Sequence, residues 1–186
     1  MTPLALIHKY YAPGSLACRV LVEHSRCVQA KALAAARCVR HLRPDVAFIR
    51  DAAMLHDIGI FLTDAPDIGC TGTEPYIRHG VLGCELLRAE GLGDIALVCE
   101  RHTGTGLSVD DIRSQSLPLP MRDMQPVSLE EQIVCYADNF YSKRLDSLKK
   151  ERTPAEVLAR LAKFGPDKVA RFREWHVRFG GPDLRS

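Results

Sequence analysis

The sequence predicts an all-α protein, and three observations carry that expectation. Apolar residues recur at three- and four-residue spacing along nearly all of the 186-residue chain. No alternation of period two, bounded by turn residues, interrupts them. Caps and breakers stand where the helical period stops, with Ser15, Asp45, Ser128 and Thr153 at starts and Pro44, Gly91 to Gly93 and Gly165 at stops.

In chain order, Leu4 to Tyr11 reads as a short first helix closed by Pro13-Gly14. Ser15 caps a long stretch running through His41, with a bend or break expected near its first third. Asp45 caps the helix that runs into His56-Asp57, and Gly59 suits a left-handed position at its C-terminus. From Gly59 to Pro75 neither period continues, and connections of this length are usually functional or disordered. Pro75 opens a helix to about Glu90. Gly91 to Gly93 separate it from the next, Asp94 to about Thr103, and Gly104 to Val127 reads as a second irregular stretch. Ser128-Leu129-Glu130-Glu131 is a capping box that opens a helix through about Lys143. Thr153-Pro154-Ala155-Glu156 repeats the device, and Pro166 to Phe179 forms a last amphipathic helix before a polar tail.

The composition, 46% hydrophobic and 26% charged, is that of an ordinary globular chain, and residues 1–186 are read as one domain. Formal net charge is +2 with Lys and Arg spread along the chain, so nothing points to nucleic acid or to a membrane surface. Seven cysteines without a C-x-x-C pair, most within apolar helical patterns, read as reduced core residues. The apolar patch at the N-terminus is too short for a signal h-region, and a reducing cytoplasm is the expected compartment.

One stretch stands apart. Ala52 to Leu62 is apolar almost throughout, yet His56 and Asp57 lie side by side at its centre. An ionised carboxylate there must be paired, hydrogen-bonded or metal-bound, because leaving it buried and alone costs several kcal/mol or more. His24 shares a helical face with Leu21 and Val28, His79 has Tyr76 and Leu82 as three-residue neighbours, and His102 and Asp138 follow apolar residues at three and four. Taken singly, each histidine reads as a packed core residue. Jointly, five helices each bring an inward His or Asp, and a bundle interior fed from facing helices is where such groups bind metal. His8, His41 and His176 lack that setting.

The order His24, His56-Asp57, Asp138 resembles the HD superfamily of metal-dependent phosphohydrolases, and Leu55-His56-Asp57-Ile58-Gly59 resembles its signature in the HDIG form. The resemblance implies a bundle of about five core helices, here roughly residues 15 to 144, with a peripheral N-terminal helix and peripheral C-terminal helices over 153–179. It also implies His24, His56, Asp57 and Asp138 as first-metal ligands, with His79 and His102 matching the intervening histidines of binuclear members. Thr103 stands where many binuclear signalling members carry a second adjacent His, and their Gly-Tyr-Pro extension is absent.

Imidazoles and carboxylates without thiolate suit Mn, Fe, Co, Ni or Zn better than an all-oxygen ion. Asp57, with two oxygens between the two sets of histidines, is the expected bridge between two such ions and the expected catalytic residue. The expected reaction is phosphoester hydrolysis by an activated water, on a small phosphorylated substrate such as a nucleotide. Lys143 and Arg101 are candidate phosphate contacts, each weighed against a solvated surface charge, and the Thr71 to Pro75 segment is a candidate anion-binding turn. Two alternatives are an HD-type diiron oxygenase and a non-catalytic nucleotide-binding regulatory module. The intact set of His and Asp argues against the module.

Overall fold

The structure, a computed structural model, describes residues 1–180, and the rest of the polar tail lies outside the described residues. Among them are nine α-helices: α1 (Pro3–Tyr10), α2 (Leu16–Cys38), α3 (Val46–Leu55), α4 (His79–Ala89), α5 (Gly93–Arg101), α6 (Val109–Ser114), α7 (Leu129–Asp138), α8 (Pro154–Leu161) and α9 (Pro166–Phe179). The fold is all-α with one small addition, an antiparallel ribbon of β1 (Asp64–Ala65) and β2 (Cys70–Thr71). Strands of two residues are too short to show a period in the sequence.

Six helix starts are set by side chains. Thr2, Ser15, Asp45, Ser108, Ser128 and Thr153 each accept the backbone N–H three residues on, which satisfies one otherwise orphaned donor. Helix α2 runs unbroken for 23 residues, correcting the expected bend, because neither Gly nor Pro lies within it. His41 falls in a separate 3-10 turn, Arg40–Leu42.

Four other expectations are corrected. Gly59 is not a left-handed cap but part of a 3-10 turn, Ile58–Leu62. The stretch from Gly104 to Val127 contains α6, whose Ser108 and Asp111 form a reciprocal capping box. At Ser128, Glu131 accepts from the N–H of Val127, one residue earlier than a closed box requires. Helix α7 ends at Asp138, not Lys143. There the Asn139 side-chain amide donates to the Cys135 carbonyl, while Phe140 and Tyr141 fall back on carbonyls three residues behind them.

Two large apolar cores fill the bundle, beside a small third one of Val81, Ile112 and Met124. One joins the C-terminal half of α2 with α3, α7, α8 and α9 around Val28, Ile49, Tyr136, Phe140 and Phe172. The other joins α1, the N-terminal half of α2, the end of α3, α4 and α5 around Ile7, Leu21, Leu55, Leu87 and Cys99. Along α2 the change from one to the other falls between Leu21 and Val28, which is where His24 sits. Three glycines let α4 come in close. A Cβ on Gly59 would lie 2.3 Å from the His79 carbonyl oxygen, and one on Gly80 would lie 2.5 Å from the Cys99 carbonyl oxygen. One on Gly83 would stand 3.2 Å from the Gly59 nitrogen. No described helix is long and apolar enough to cross a membrane.

Candidate metal centre

Three of the four histidines reach the centre by the same local device. His56 closes α3, His102 closes α5, and His79 closes the 3-10 turn Tyr76–Arg78. Carbonyls in a last helical turn have no intrahelical donor. Each ring donates from Nδ1–H to the carbonyl three residues back: His56 to Ala53 at 2.8 Å, His102 to Cys99 at 2.7 Å, and His79 to Tyr76 at 2.6 Å, a carbonyl that also accepts the His79 backbone N–H. A carbonyl only accepts, so Nδ1 carries the hydrogen in all three rings and Nε2 is the atom turned inward.

Those Nε2 atoms converge on Asp57, which is fully buried. Its Oδ2 lies 3.1 Å from His24 Nε2 and 3.0 Å from His56 Nε2, while Oδ1 lies 3.3 Å from both His79 Nε2 and His102 Nε2. Asp138, at the last residue of α7, adds its Oδ1 at 3.0 Å from His24 and 3.4 Å from His56. His24, His56, Asp57 and Asp138 thus form one potential ligand set, and Asp57, His79 and His102 a second, with Asp57 common to both.

The rows of donors and acceptors do not close by themselves. Neither oxygen of Asp57 has a partner with hydrogen-bond geometry, and neither does His56 Nε2. His79 Nε2 and His102 Nε2 face each other at 3.1 Å, and with both Nδ1 atoms protonated two neutral rings would present lone pair to lone pair. Buried polar atoms are seldom left this way. Lys143 Nζ makes an ion pair with Asp57 Oδ2 at 2.6 Å, while a cation on each side of Asp57 would satisfy Oδ1 and the facing lone pairs, so this donor set fits metal.

The buried groups shift one another strongly. Burial pushes the His56 imidazole down, but the Asp57 and Asp138 carboxylates outweigh it and raise it to about 10. His79 goes the other way, lowered to about 3 mainly by burial, which keeps its Nε2 lone pair available. Burial opposes ionisation of Asp57, yet His56 and Lys143 hold its carboxyl well below the ordinary range; His24 and His56 do the same for Asp138.

Of the two candidate phosphate contacts, one is at the centre and one is not. Lys143 Nζ sits 2.6 Å from Asp57 Oδ2, mostly buried, with the Tyr76 ring 6.0 Å away; Asp57 raises its pKa despite burial. Arg101 is turned away, its guanidinium bridging both oxygens of Glu131 at 3.1 and 3.0 Å. In the candidate anion turn, the N–H groups of Gly72 and Glu74 already donate to the carbonyls of Thr63 and Leu62. His176 is buried against the Tyr136 hydroxyl at 2.8 Å, in the α7 and α9 core.

Asn139 was not singled out from the sequence. Its amide donates to the carbonyls of Gly104 at 2.6 Å and Cys135 at 2.8 Å, and its Oδ1 accepts from Arg160 at 2.5 Å. It thereby ties the loop after His102 to the residue after Asp138. Adjacency to Asp138 was the one signal available.

Residues 21–142 match a family described as the HD domain. The chain is 36% identical over 131 residues to an uncharacterized protein of Methanocaldococcus jannaschii, covering 68% of this chain and 70% of that one. It is 31% identical over 172 residues to a tRNA (cytidine(56)-2'-O)-methyltransferase of Thermoplasma volcanium, covering 87% of this chain and 45% of the relative. A protein of the same description from Picrophilus torridus is 33% identical over 132 residues, covering 70% and 34%. The chain therefore spans less than half of either methyltransferase. No solved structure matches it.

Proposed function

Because the chain belongs to the HD-domain family, we propose that it is a metal-dependent phosphohydrolase acting on a nucleotide or another small phosphoester. The observation that carries the proposal is the division of the ligand residues between the two oxygens of Asp57, His24 and His56 on one and His79 and His102 on the other. Divalent cations held there would supply a water of lowered pKa as nucleophile and neutralise charge on the phosphoryl oxygens.

The chain's own residues do the rest. Asp57 would be the bridge, and the Nδ1–H bonds to Ala53, Tyr76 and Cys99 fix the orientation of three imidazoles before anything binds. Asp138 completes the first set from α7. Were a cation held on Asp57, the Lys143 ammonium beside it would be placed to meet a phosphate oxygen. A buried ammonium at this place favours an anionic substrate, and so favours hydrolysis of a phosphoester over the oxygenase alternative. Methyl transfer belongs to the name of relatives more than twice as long as the stretch they share with this chain, and no part of the centre requires it.

The test is a phosphate-release screen over nucleotides and small phosphoesters with Mn, Co, Ni, Zn and Fe. Metal-dependent release from at least one class is expected. No release with any metal, in a sample shown to carry two ions per chain, would defeat the hydrolase reading.

A further inference from the structure

Two surface grooves meet at the start of α3, and they carry opposite charge. One, of about 380 Å³, lies between the end of α2, the turn Arg40–Leu42 and Val46; Arg37, Arg40 and Arg43 line it beside Leu33 and Pro44. The other, of about 330 Å³, lies between the first turns of α3, α5 and α7; Asp45, Asp94, Glu130 and Glu131 line it beside Phe48 and Leu97. Among the described residues no acidic side chain lines the first groove and no basic one the second. The boundary is a single peptide bond, with Asp45 in the acidic groove and Val46 in the basic one.

Most of this charge is unspent. Elsewhere on the surface opposite charges pair within the chain, as in Lys9 with Glu90, Lys31 with Glu151 and Arg50 with Asp51. Among the described residues, the guanidiniums of Arg37, Arg40 and Arg43 and the carboxylate of Asp94 have no hydrogen-bond or ion-pair partner. The Asp45 and Glu130 carboxylates accept only backbone N–H groups, those of Phe48 and Asp45. Glu131 alone in the two grooves is ion-paired among the described residues, to Arg101. Gathering like charges is unfavourable in a free chain, and a partner of opposite sign relieves it. Apolar side chains stand exposed beside both clusters: Leu42 and Val46 at the basic groove, and Val127 next to Ser128 of the acidic one. No aromatic residue lines the basic groove, so it offers nothing on which the bases of a nucleic acid could stack.

A closed dimer with two-fold symmetry presents one patch from both sides, so a patch that is basic on one half and acidic on the other complements itself. We infer that the partner of this face is a second copy of the chain. Arg37, Arg40 and Arg43 of each copy meet Asp45, Asp94 and Glu130 of the other, twice over, and Val46 is covered between them. Guanidinium and carboxylate form two parallel hydrogen bonds, and pairs shielded from water between two copies fix register as well as partner.

The test is the mass of the full chain by sedimentation equilibrium at high micromolar concentration and low salt. Wild type should weigh twice the 20.7 kDa of one chain, and should dissociate as salt is raised, because screening weakens charge pairing. Arg37→Glu with Arg40→Glu puts acid against acid and should be monomeric. Asp94→Lys with Glu130→Lys puts base against base and should be monomeric too. Mixed in equal amounts, the two variants should form a dimer again, because each reversed half then faces its opposite. Circular dichroism reports folding; if either double variant fails to fold, Arg40→Glu and Glu130→Lys are compared and mixed in the same way. A monomeric wild type overturns the inference, including the case in which it binds a short RNA oligonucleotide that Arg37→Glu with Arg40→Glu releases. Folded variants that stay dimeric alone, or that stay monomeric when mixed, overturn it as well.

Discussion

Gly59→Ala is the sharpest test of how the fold positions the second ligand set. Gly59 has an ordinary backbone conformation, so the cost of a side chain there is purely steric. The added Cβ would stand 2.3 Å from the His79 carbonyl oxygen, 2.4 Å from the Gly83 nitrogen and 2.9 Å from the Gly83 Cα. All three are backbone atoms, and ordinary contact begins near 3.4 Å, so α4 must retreat by about 1 Å. Overpacking of this kind costs about 1–3 kcal/mol. In a chain of this size that corresponds to a fall in Tm of roughly 2–12 °C, and the upper half is expected because backbone cannot swing aside. The same retreat carries His79 away from Asp57 Oδ1. Thermal unfolding and metal content, measured on one sample, should show a lower Tm and loss of the ion held by His79 and His102 before the other. A variant with wild-type Tm and a full complement of metal would refute the packing argument.

Asp57→Asn should reduce hydrolysis to background while keeping an all-α circular dichroism spectrum, since it removes the bridging charge at nearly constant volume; full activity with full metal content would refute the role given to Asp57. Asp111→Asn should lower Tm at neutral pH. Burial alone would raise the Asp111 carboxyl, but Lys168 and the Ser108 N–H hold it below the ordinary range, so its stabilisation is present above about pH 4 and fades as pH falls through the depressed value. The Tm difference from wild type should therefore close on acidification, and a gap that persists at low pH would contradict this. Reducing agents should leave the helical signal unchanged, because all seven cysteines are free thiols; reductant-induced loss of that signal would show a disulfide the structure does not have.

Much of the centre was legible because the sequence sets charge against apolar surroundings. His56 and Asp57 stood out in a run that is otherwise core, and His24, His79 and His102 each shared a helical face with apolar neighbours. What could not be read was where helices stop. The pattern carries the helix opened at Ser128 through to about Lys143, but α7 ends at Asp138, and the turn that follows brings the ammonium back onto Asp57. Arg101 is adjacent to His102 in sequence, yet it closes α5 facing Glu131 on α7, a contact between distant segments that no local pattern records. Gly59 was recognisable as special, but its reason is the backbone of α4 lying against it and not a left-handed turn. Helix α6 carried a readable Ser108 and Asp111 box, but six residues are too few to show a period.

The central claim is that Asp57 joins two ligand sets, each able to hold one cation. Metal stoichiometry, by elemental analysis on wild type and His102→Ala purified and loaded side by side, tests it most directly. The account predicts two ions per chain in wild type and one in His102→Ala, with the helical spectrum kept and turnover lost. A single ion in wild type, with His102→Ala retaining both that ion and activity, would contradict it and leave His102 as a core histidine.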